Sequence, residues 1–306
     1  MNKESKVVVL LAAYNGEKYI KKQLDSILNQ RGVDFSIIIS VDKSNDSTLL
    51  IVNEYVNEYS NVYILPYGES YGSAGKNFTR LLCEVNLLSY QYISFADQDD
   101  IWLPDKLNRA VCELEKNNAD AYSSNVTAFW ETGKKKLVNK SYPQVEFDHL
   151  FESPGPGCSF LLSYDLALLI QTHLQSKLKQ NQFIWMHDWY CYSFARHHGF
   201  NWYIDPVPLM LYRQHQSNVV GANLGWKGFI TRCASVLNGE GFYHVLQQAK
   251  FIGQDKVLPI ELLASNNRMS ILKLCFVTYK CRRKLLHKVM LSAVCFYFFI
   301  KGKAYY

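Results

Sequence analysis

The hydrophobic pattern of the chain opens with an unbroken apolar run, Val7-Val8-Val9-Leu10-Leu11-Ala12-Ala13. Such a run, rich in β-branched residues and without polar alternation, predicts a strand buried on both faces. An Asn15-Gly16 turn follows, and Tyr19, Ile20, Leu24, Ile27 and Leu28 then recur at helical spacing between Glu17 and Asn29. The alternation repeats along the chain. Strands are predicted over 35–41, 62–65 and 91–96, with helices over 47–59, 74–88 and from Pro104 to Asn117. Four strand–helix units in succession predict an α/β fold, a mostly parallel sheet covered by helices through right-handed crossovers. Sheets of this kind bind ligands beyond the carboxyl ends of their strands. That places Tyr14, Asn15, Asp42, Asp46, Asp97 and Asp99 at the ligand-binding edge.

Beyond residue 118 the pattern is less regular. It predicts a strand over 120–130, a hairpin tip at Gly133-Lys134-Lys135-Lys136, and a rigid loop at Ser153-Pro154-Gly155-Pro156-Gly157. A strand over 159–163, helices over 165–178 and 188–198, and strands over 201–204 and 208–213 follow. From Asn223 onward a helical pattern runs to the end. The run at residues 7–13 lacks the small-residue cleavage site of a signal peptide and reads as a strand. No apolar stretch reaches the ~18 residues of a transmembrane helix.

Composition changes this picture in two places. The 306 residues are 48% hydrophobic, which excludes a globally disordered chain. The net charge of +6 is concentrated at one end: from Glu261 onward nine basic residues face one acid, while the rest has 24 basic against 26 acidic. The basic residues Lys280, Arg282, Arg283, Lys284 and Lys288 precede an apolar run over 289–300, followed by Lys301 and Lys303. Basic residues beside strong apolarity suit an anionic membrane surface, or else a last core helix with a solvated basic face. Nucleic acid is not expected, since no binding motif accompanies the charge. The eight cysteines form no CxxC pair and no zinc-spaced cluster, as expected of buried free thiols in a reducing cytoplasm.

Four constellations carry chemistry. Asp97-Gln98-Asp99-Asp100 closes an apolar strand, and carboxylates this close repel unless a cation joins them. Mg²⁺ or Mn²⁺ suits such hard oxygen donors; the competing reading is a cap on a helix opening at Trp102 or Leu103. Asp42 and Asp46 either meet a nucleotide or cap the next helix. In Trp185-Met186-His187-Asp188-Trp189 an aspartate among indoles is a desolvated proton acceptor or a helix N-cap. Arg213 and His215, in Tyr212-Arg213-Gln214-His215, offer a phosphate fork and a metal-ligating imidazole, or plain surface polarity. There is no GxGxxG after the first strand, which counts against a Rossmann dehydrogenase, and there is no P-loop and no GxSxG elbow.

In order and spacing, these pieces resemble the family 2 glycosyltransferases of the GT-A fold, in their bacterial rhamnosyltransferase-like version, over roughly residues 6–221. The resemblance rests on the opening strand and Tyr14-Asn15-Gly16-Glu17, on Asp42-Lys43-Ser44-Asn45-Asp46-Ser47-Thr48, on Asp97-Gln98-Asp99-Asp100, on His187-Asp188, and on the segment from Tyr212 to Gly221. It implies a catalytic domain over 1–221, with a nucleotide-binding half 1–118 and an acceptor half 119–221, followed by a helical, basic-apolar region 222–306. It implies that Ala12, Tyr14, Glu17, Asp42, Asn77, Asp97 and Arg213 surround the donor. Asp99 and His215 would hold the Mg²⁺ or Mn²⁺, and Asp188 would be the base of an inverting transfer. His187 departs from the family, which frequently carries Glu there.

The expected function is therefore metal-dependent transfer of a sugar, L-rhamnose on the resemblance, from a nucleoside-diphosphate donor to a glycan acceptor in bacterial surface polysaccharide assembly. The acceptor is lipid-linked in the version where the enzyme sits in the cytoplasm, peripheral to the inner face of the cell membrane. The alternatives are a UDP-hexose donor, or a non-catalytic sugar-nucleotide-binding scaffold at the membrane.

Overall fold

The computed structural model describes residues 5–180, 184, 186–215 and 239–302. The described residues within Met1–Ser141 and Pro154–Gln216 form one compact unit, and those within Tyr142–Ser153 and Ser217–Tyr306 form another.

In the first unit, strand β1 (Lys6–Ala13) is central. Val7 to Leu11 are wholly buried, as an unbroken apolar run requires. It pairs in parallel with β2 (Asp34–Val41) on one side and β4 (Tyr92–Asp97) on the other. This register sets Ala12 beside both Ser40 and Asp97. Helices α1 (Ile20–Leu28), α2 (Thr48–Glu58) and α3 (Ala74–Glu84), with the short edge strand β3 (Val62–Ile64), complete the predicted alternation. The sheet continues through β9 (Leu161–Ser163), β6 (Ala121–Ser124) and β10 (Trp202–Asp205), in the order β10-β6-β9-β4-β1-β2-β3. Only β9 runs against its neighbours, so the expected mostly parallel sheet is what the chain builds. Helices α4 (Lys106–Lys116), α5 (Tyr164–Leu178) and α6 (His187–His197) complete the elements around it.

Two expectations are corrected. The strand predicted over 120–130 is two strands, β6 and β7 (Val126–Phe129), which belong to different sheets. Asn125 makes the corner. Its Oδ1 accepts the Lys140 and Ser141 N–H groups, and its Nδ2 donates to the Pro206 carbonyl. A side chain thus takes hydrogen bonds that a ladder would otherwise make, which an apolar pattern cannot reveal. Residues Ile101–Trp102 form the short strand β5 instead of opening a helix, and α4 starts only at Lys106. Asp99 and Asp100 therefore cap no helix. β5 pairs antiparallel with β11 (Met210–Arg213), which joins β7 and β8 (Lys135–Val138) in a second, four-stranded sheet.

The second unit draws in residues 142–153, which the sequence reading had placed in the acceptor half. Arg283 accounts for part of this. Its guanidinium is buried against Asp148, at 3.3 Å, and donates to the Ser153 carbonyl, while its backbone N–H donates to Glu152. A buried arginine needs such partners, because leaving either charge alone in the interior is costly. Helices α7 (Glu240–Ile252), α8 (Leu258–Ala264), α9 (Arg268–Cys275) and α10 (Leu285–Lys301) make up the rest of the described unit. α9 and α10 lie antiparallel: Arg268 Nε donates to the Phe299 carbonyl at one end, and Thr278 meets Ser292 towards the other. No helix of the described residues is long and apolar enough to cross a membrane. The expected domain boundary at 221/222 lies outside the described residues, as does the helical pattern expected over 223–238.

Candidate active site

At the carboxyl edge of the first sheet, the loops after β1 and β2 are sewn together. Asn15 Oδ1 accepts the Asn45 N–H and the Asn15 N–H donates to Ser44 Oγ. Glu17 accepts the Ser47 N–H, and Asp46 accepts those of Glu17 and Thr48. Asp46 and Glu17 thus serve loop geometry, Asp46 acting just ahead of the N-cap of α2, at Ser47. Gly16 leaves room for the Gln98 amide: a Cβ there would lie 2.3 Å from Gln98 Oε1 and displace it. The Gln98 amide pairs with both backbone polar groups of Tyr14, at 2.7 and 2.8 Å, and so ties the β1 loop to the acidic loop after β4.

Asp42 is buried, and its carboxylate accepts the Lys43, Tyr71 and Gly72 N–H groups. Three bonds fill three of the roughly four acceptor positions of a carboxylate. Asn77 is buried in α3, donating to the Ser40 and Ala13 carbonyls, and so holds the ends of β1 and β2 together. Ala12 and Asp97 face one another across the β1–β4 register, and Tyr14 is half exposed.

The acidic loop is the electrostatic centre. Burial raises the Asp97 carboxyl from 3.8 to about 7, with the charges of Asp99 and then Asp188 adding to the effect. Asp100 is pushed well upward, by burial first and then by Asp99 and Asp97. Ligating atoms of Asp97, Asp100 and Cys158 lie within 4.8 Å of one another. Burial, and next Asp100, hold the Cys158 thiol far above its usual value, so in the metal-free protein it is a neutral neighbour of the acids. Asp100 Oδ1 accepts the Arg213 N–H, whereas its Oδ2 is buried with no hydrogen-bond partner.

The segment after β11 closes over this loop. His215 Nε2 stands 2.6 Å from Asp99 Oδ2, and its ring stacks on Tyr19 at 5.2 Å. Arg213 is buried with its guanidinium 4.5 Å from the centroids of both Tyr19 and Phe129, and its Nε donates to the Asp99 carbonyl. The two residues expected as metal ligands, Asp99 and His215, are thus in direct contact. The donor set fits a hard divalent cation: clustered carboxylate oxygens, one imidazole, and a buried oxygen without a partner.

Asp188 lies in the first turn of α6, is 8% exposed, and accepts the Trp189 N–H at 2.7 Å. The cap position of α6 falls on Met186, so the N-cap reading of Asp188 does not hold. Its contribution to the raised Asp97 value places it within electrostatic reach of the acidic loop. His187 points elsewhere. Its ring stacks on Phe78 at 3.8 Å and meets the edge of Phe95, and burial lowers its value to about 3, so it is a neutral aromatic spacer. Gly157 makes room for it: a Cβ there would stand 2.0 Å from His187 Nε2.

The structure therefore brings Asp97, Asp99, Arg213 and His215 together, with Ala12 and Tyr14 on the β1 side and Asp188 close enough for its charge to act on Asp97. Asn77 and Glu17 are engaged in holding strands and loops. Residues 216–221 of the closing segment and Trp185 lie outside the described residues. Sequence reasoning missed Cys158, Tyr212 and Lys106. Tyr212 is raised far above its usual value, by burial first and then by Cys158 and the three acids. Lys106 lies 3.5 Å from the Trp102 ring centroid, and burial lowers its amine to about 7. Cys158 and Lys106 carry no local signal, because each reaches the acids only through the tertiary fold; Tyr212 stands in the segment Tyr212-Arg213-Gln214-His215, where only Arg213 and His215 are assigned chemistry. The seven described cysteines are free thiols.

Comparison with known proteins agrees with this geometry. Residues 8–170 match the family model described as glycosyl transferase family 2. The chain is 42% identical over 280 residues to the dTDP-rhamnosyl transferase RfbG of Shigella flexneri, covering 91% of this chain and 96% of that one. Among solved structures, S. aureus TarS 1–349 in complex with UDP-GlcNAc superposes with a TM-score of 0.54 at 16% identity, over 94% of this chain and 88% of that one. Mannosyltransferase PcManGT from Pyrobaculum calidifontis, in complex with GDP-Man and Mn²⁺, gives 0.53 at 13% identity, over 99% and 77%. At these identities the two structures speak for the fold, which is of the GT-A type.

Two predictions follow from the site's packing and charge. Gly157→Ala destabilises the protein by about 2–3 kcal/mol, since the intruding methyl must displace a buried ring. The double variant with His187→Ala loses less than the sum of the single changes, measured by chemical denaturation. The second concerns Asp97. With its value raised, the folded state keeps a proton that the unfolded chain releases. Its contribution is therefore intact below pH ~4 and is lost as pH rises through ~7. Asp97→Asn accordingly raises the melting temperature of the metal-free protein at pH 8 by ~2–4 °C, and leaves it unchanged at pH 4.

Proposed function

The chain belongs to glycosyl transferase family 2, and from that premise we propose that it transfers L-rhamnose from dTDP-L-rhamnose to a glycan acceptor, with inversion, in bacterial surface polysaccharide assembly. The observation that carries this reading is the cluster of carboxylates after β4, closed by the direct contact of His215 with Asp99, an arrangement suited to a cation. The donor assignment draws on the dTDP-rhamnosyl transferase to which most of the chain is similar.

In this reading Ala12, Tyr14 and Asp42 surround the nucleoside. Ala12 offers no bulk to obstruct it, and Asp42 is oriented by three backbone N–H groups with one acceptor position left. Glu17 and Asn77 shape the same edge through the loops and strands they hold. Asp99 and His215 would hold a Mg²⁺ or Mn²⁺, with Asp97 alongside. Such an ion, when bound, supplies positive charge to the diphosphate as its leaving oxygen becomes anionic. Arg213, already fixed to the Asp99 carbonyl, adds a second positive group on that side.

Asp188 takes the proton of an acceptor hydroxyl as that oxygen attacks the anomeric carbon. The bond from that carbon to the phosphate oxygen breaks, the electron pair leaves with the nucleoside diphosphate, and the configuration inverts. One base opposite the leaving group suffices, and no covalent nucleophile is needed. We place the enzyme in the cytoplasm, at the inner face of the cell membrane, acting on a lipid-linked glycan.

The test is a donor screen with Mn²⁺, comparing dTDP-L-rhamnose with UDP-hexoses, on the native protein and on Asp188→Asn. Transfer or slow hydrolysis of dTDP-L-rhamnose is expected. Asp188→Asn keeps the donor affinity within about threefold but loses at least ~10²-fold in turnover, the scale of a general base. Near-normal turnover in that variant removes Asp188 from the mechanism, and a preference for a UDP-hexose replaces the donor assignment.

A further inference from the structure

Helix α10 buries Leu291, Cys295 and Phe298 on one side. On the other, Leu285, Val289, Ala293, Phe296 and Ile300 follow one another at helical spacing, and all are exposed, Leu285 at 75% and Ile300 at 62%. Leu286, Met290 and Tyr297 form an adjoining exposed row. At 100° per residue these positions share a single arc with no charged side chain in it. A solvent-facing side of a helix carries charges; this one carries none.

The charge around it is one-sided. There is no Asp or Glu anywhere from residue 262 to 306. Arg283 and Lys280 are already engaged, with Asp148 and Glu152 and with Glu146. The helix itself carries Lys288 near its start and Lys301 at its end, with Lys284 at its N-cap. At 17 residues the helix spans about 25 Å, shorter than the ~30 Å of a hydrocarbon core.

We propose that this face of α10 docks flat on an anionic phospholipid bilayer, its apolar arc sunk among the acyl chains and its lysines against the phosphates. The proposal rests on the reading of the chain as a transferase at the membrane, and names the surface that makes the contact. Charge selects this occupant over a second copy of the chain, since a self-contact would set one acid-free basic segment against another, whereas anionic lipid neutralises it.

The experiment is co-sedimentation of the full-length protein with vesicles of phosphatidylcholine alone, or of equal parts phosphatidylcholine and phosphatidylglycerol, with donor hydrolysis measured on the same samples. The native protein is expected to bind the anionic vesicles at least ~10-fold better than the neutral ones, and to be released by high salt. The pair Val289→Asp and Phe296→Asp abolishes binding while the variant keeps the native melting temperature and hydrolysis rate. Should that pair perturb folding, Lys284→Gln with Lys288→Gln lowers binding to anionic vesicles alone. Equal binding to both vesicles, none to either, or a dimer in solution that Phe296→Asp dissociates, each overturns the proposal. Vesicle binding without any hydrolysis instead counts against the transferase reading and leaves the docking surface standing.

Discussion

Mutual repulsion among Asp97, Asp99 and Asp100 is the constraint around which the first unit is organised. Three carboxylates at the end of one strand are tolerated only if protonated, hydrogen-bonded or joined by a cation, and the fold provides something for each. Burial and mutual repulsion raise both the Asp97 and the Asp100 carboxyls, Asp100 accepts a backbone N–H, and Asp99 is met by an imidazole. A group this unfavourable in the resting protein is well placed to take up positive charge.

The surrounding structure fixes the acids in place from three directions. Gln98 ties their loop to the loop after β1, Arg213 grips the Asp99 carbonyl from β11, and the loop before β9 brings Cys158 behind them. The aromatic pair Tyr19 and Phe129 holds the Arg213 guanidinium between two rings, an environment that suits a planar delocalised cation better than an ammonium. Asp188 arrives on α6, anchored by a neutral His187 ring packed over Gly157. His187 thus serves packing: the ring faces the core and leaves the charge to its neighbour.

Much of this was legible in the sequence, for physical reasons. The run at residues 7–13 has only one stable home, a strand covered on both faces, and the helix spacing after it gave the right order of elements up to β4. The acids stood out because their crowding is costly wherever they are placed. What could not be read were features made by a single side chain acting at a distance. Asn125 breaks one predicted strand into two, β5 replaces a helical turn so that Asp99 and Asp100 lose their capping role, and Arg283 draws residues 142–153 into the C-terminal unit. Cys158 and Lys106 reach the acids only once the chain has folded. Asp42 was recognised as important, but its hold on the Tyr71 and Gly72 backbone lies 29 and 30 residues away in sequence, beyond any local pattern.

The central claim is that a divalent cation relieves the repulsion at the end of β4 and brings the nucleoside diphosphate with it. Calorimetric titration of dTDP into the protein, with and without Mn²⁺, tests it most directly. The account predicts binding that tightens at least ~10-fold with Mn²⁺ in the native protein, and an Asp99→Ala variant in which Mn²⁺ makes no difference. Equal affinity with and without the ion in a well-folded native sample, or an undiminished Mn²⁺ effect in Asp99→Ala, would contradict it.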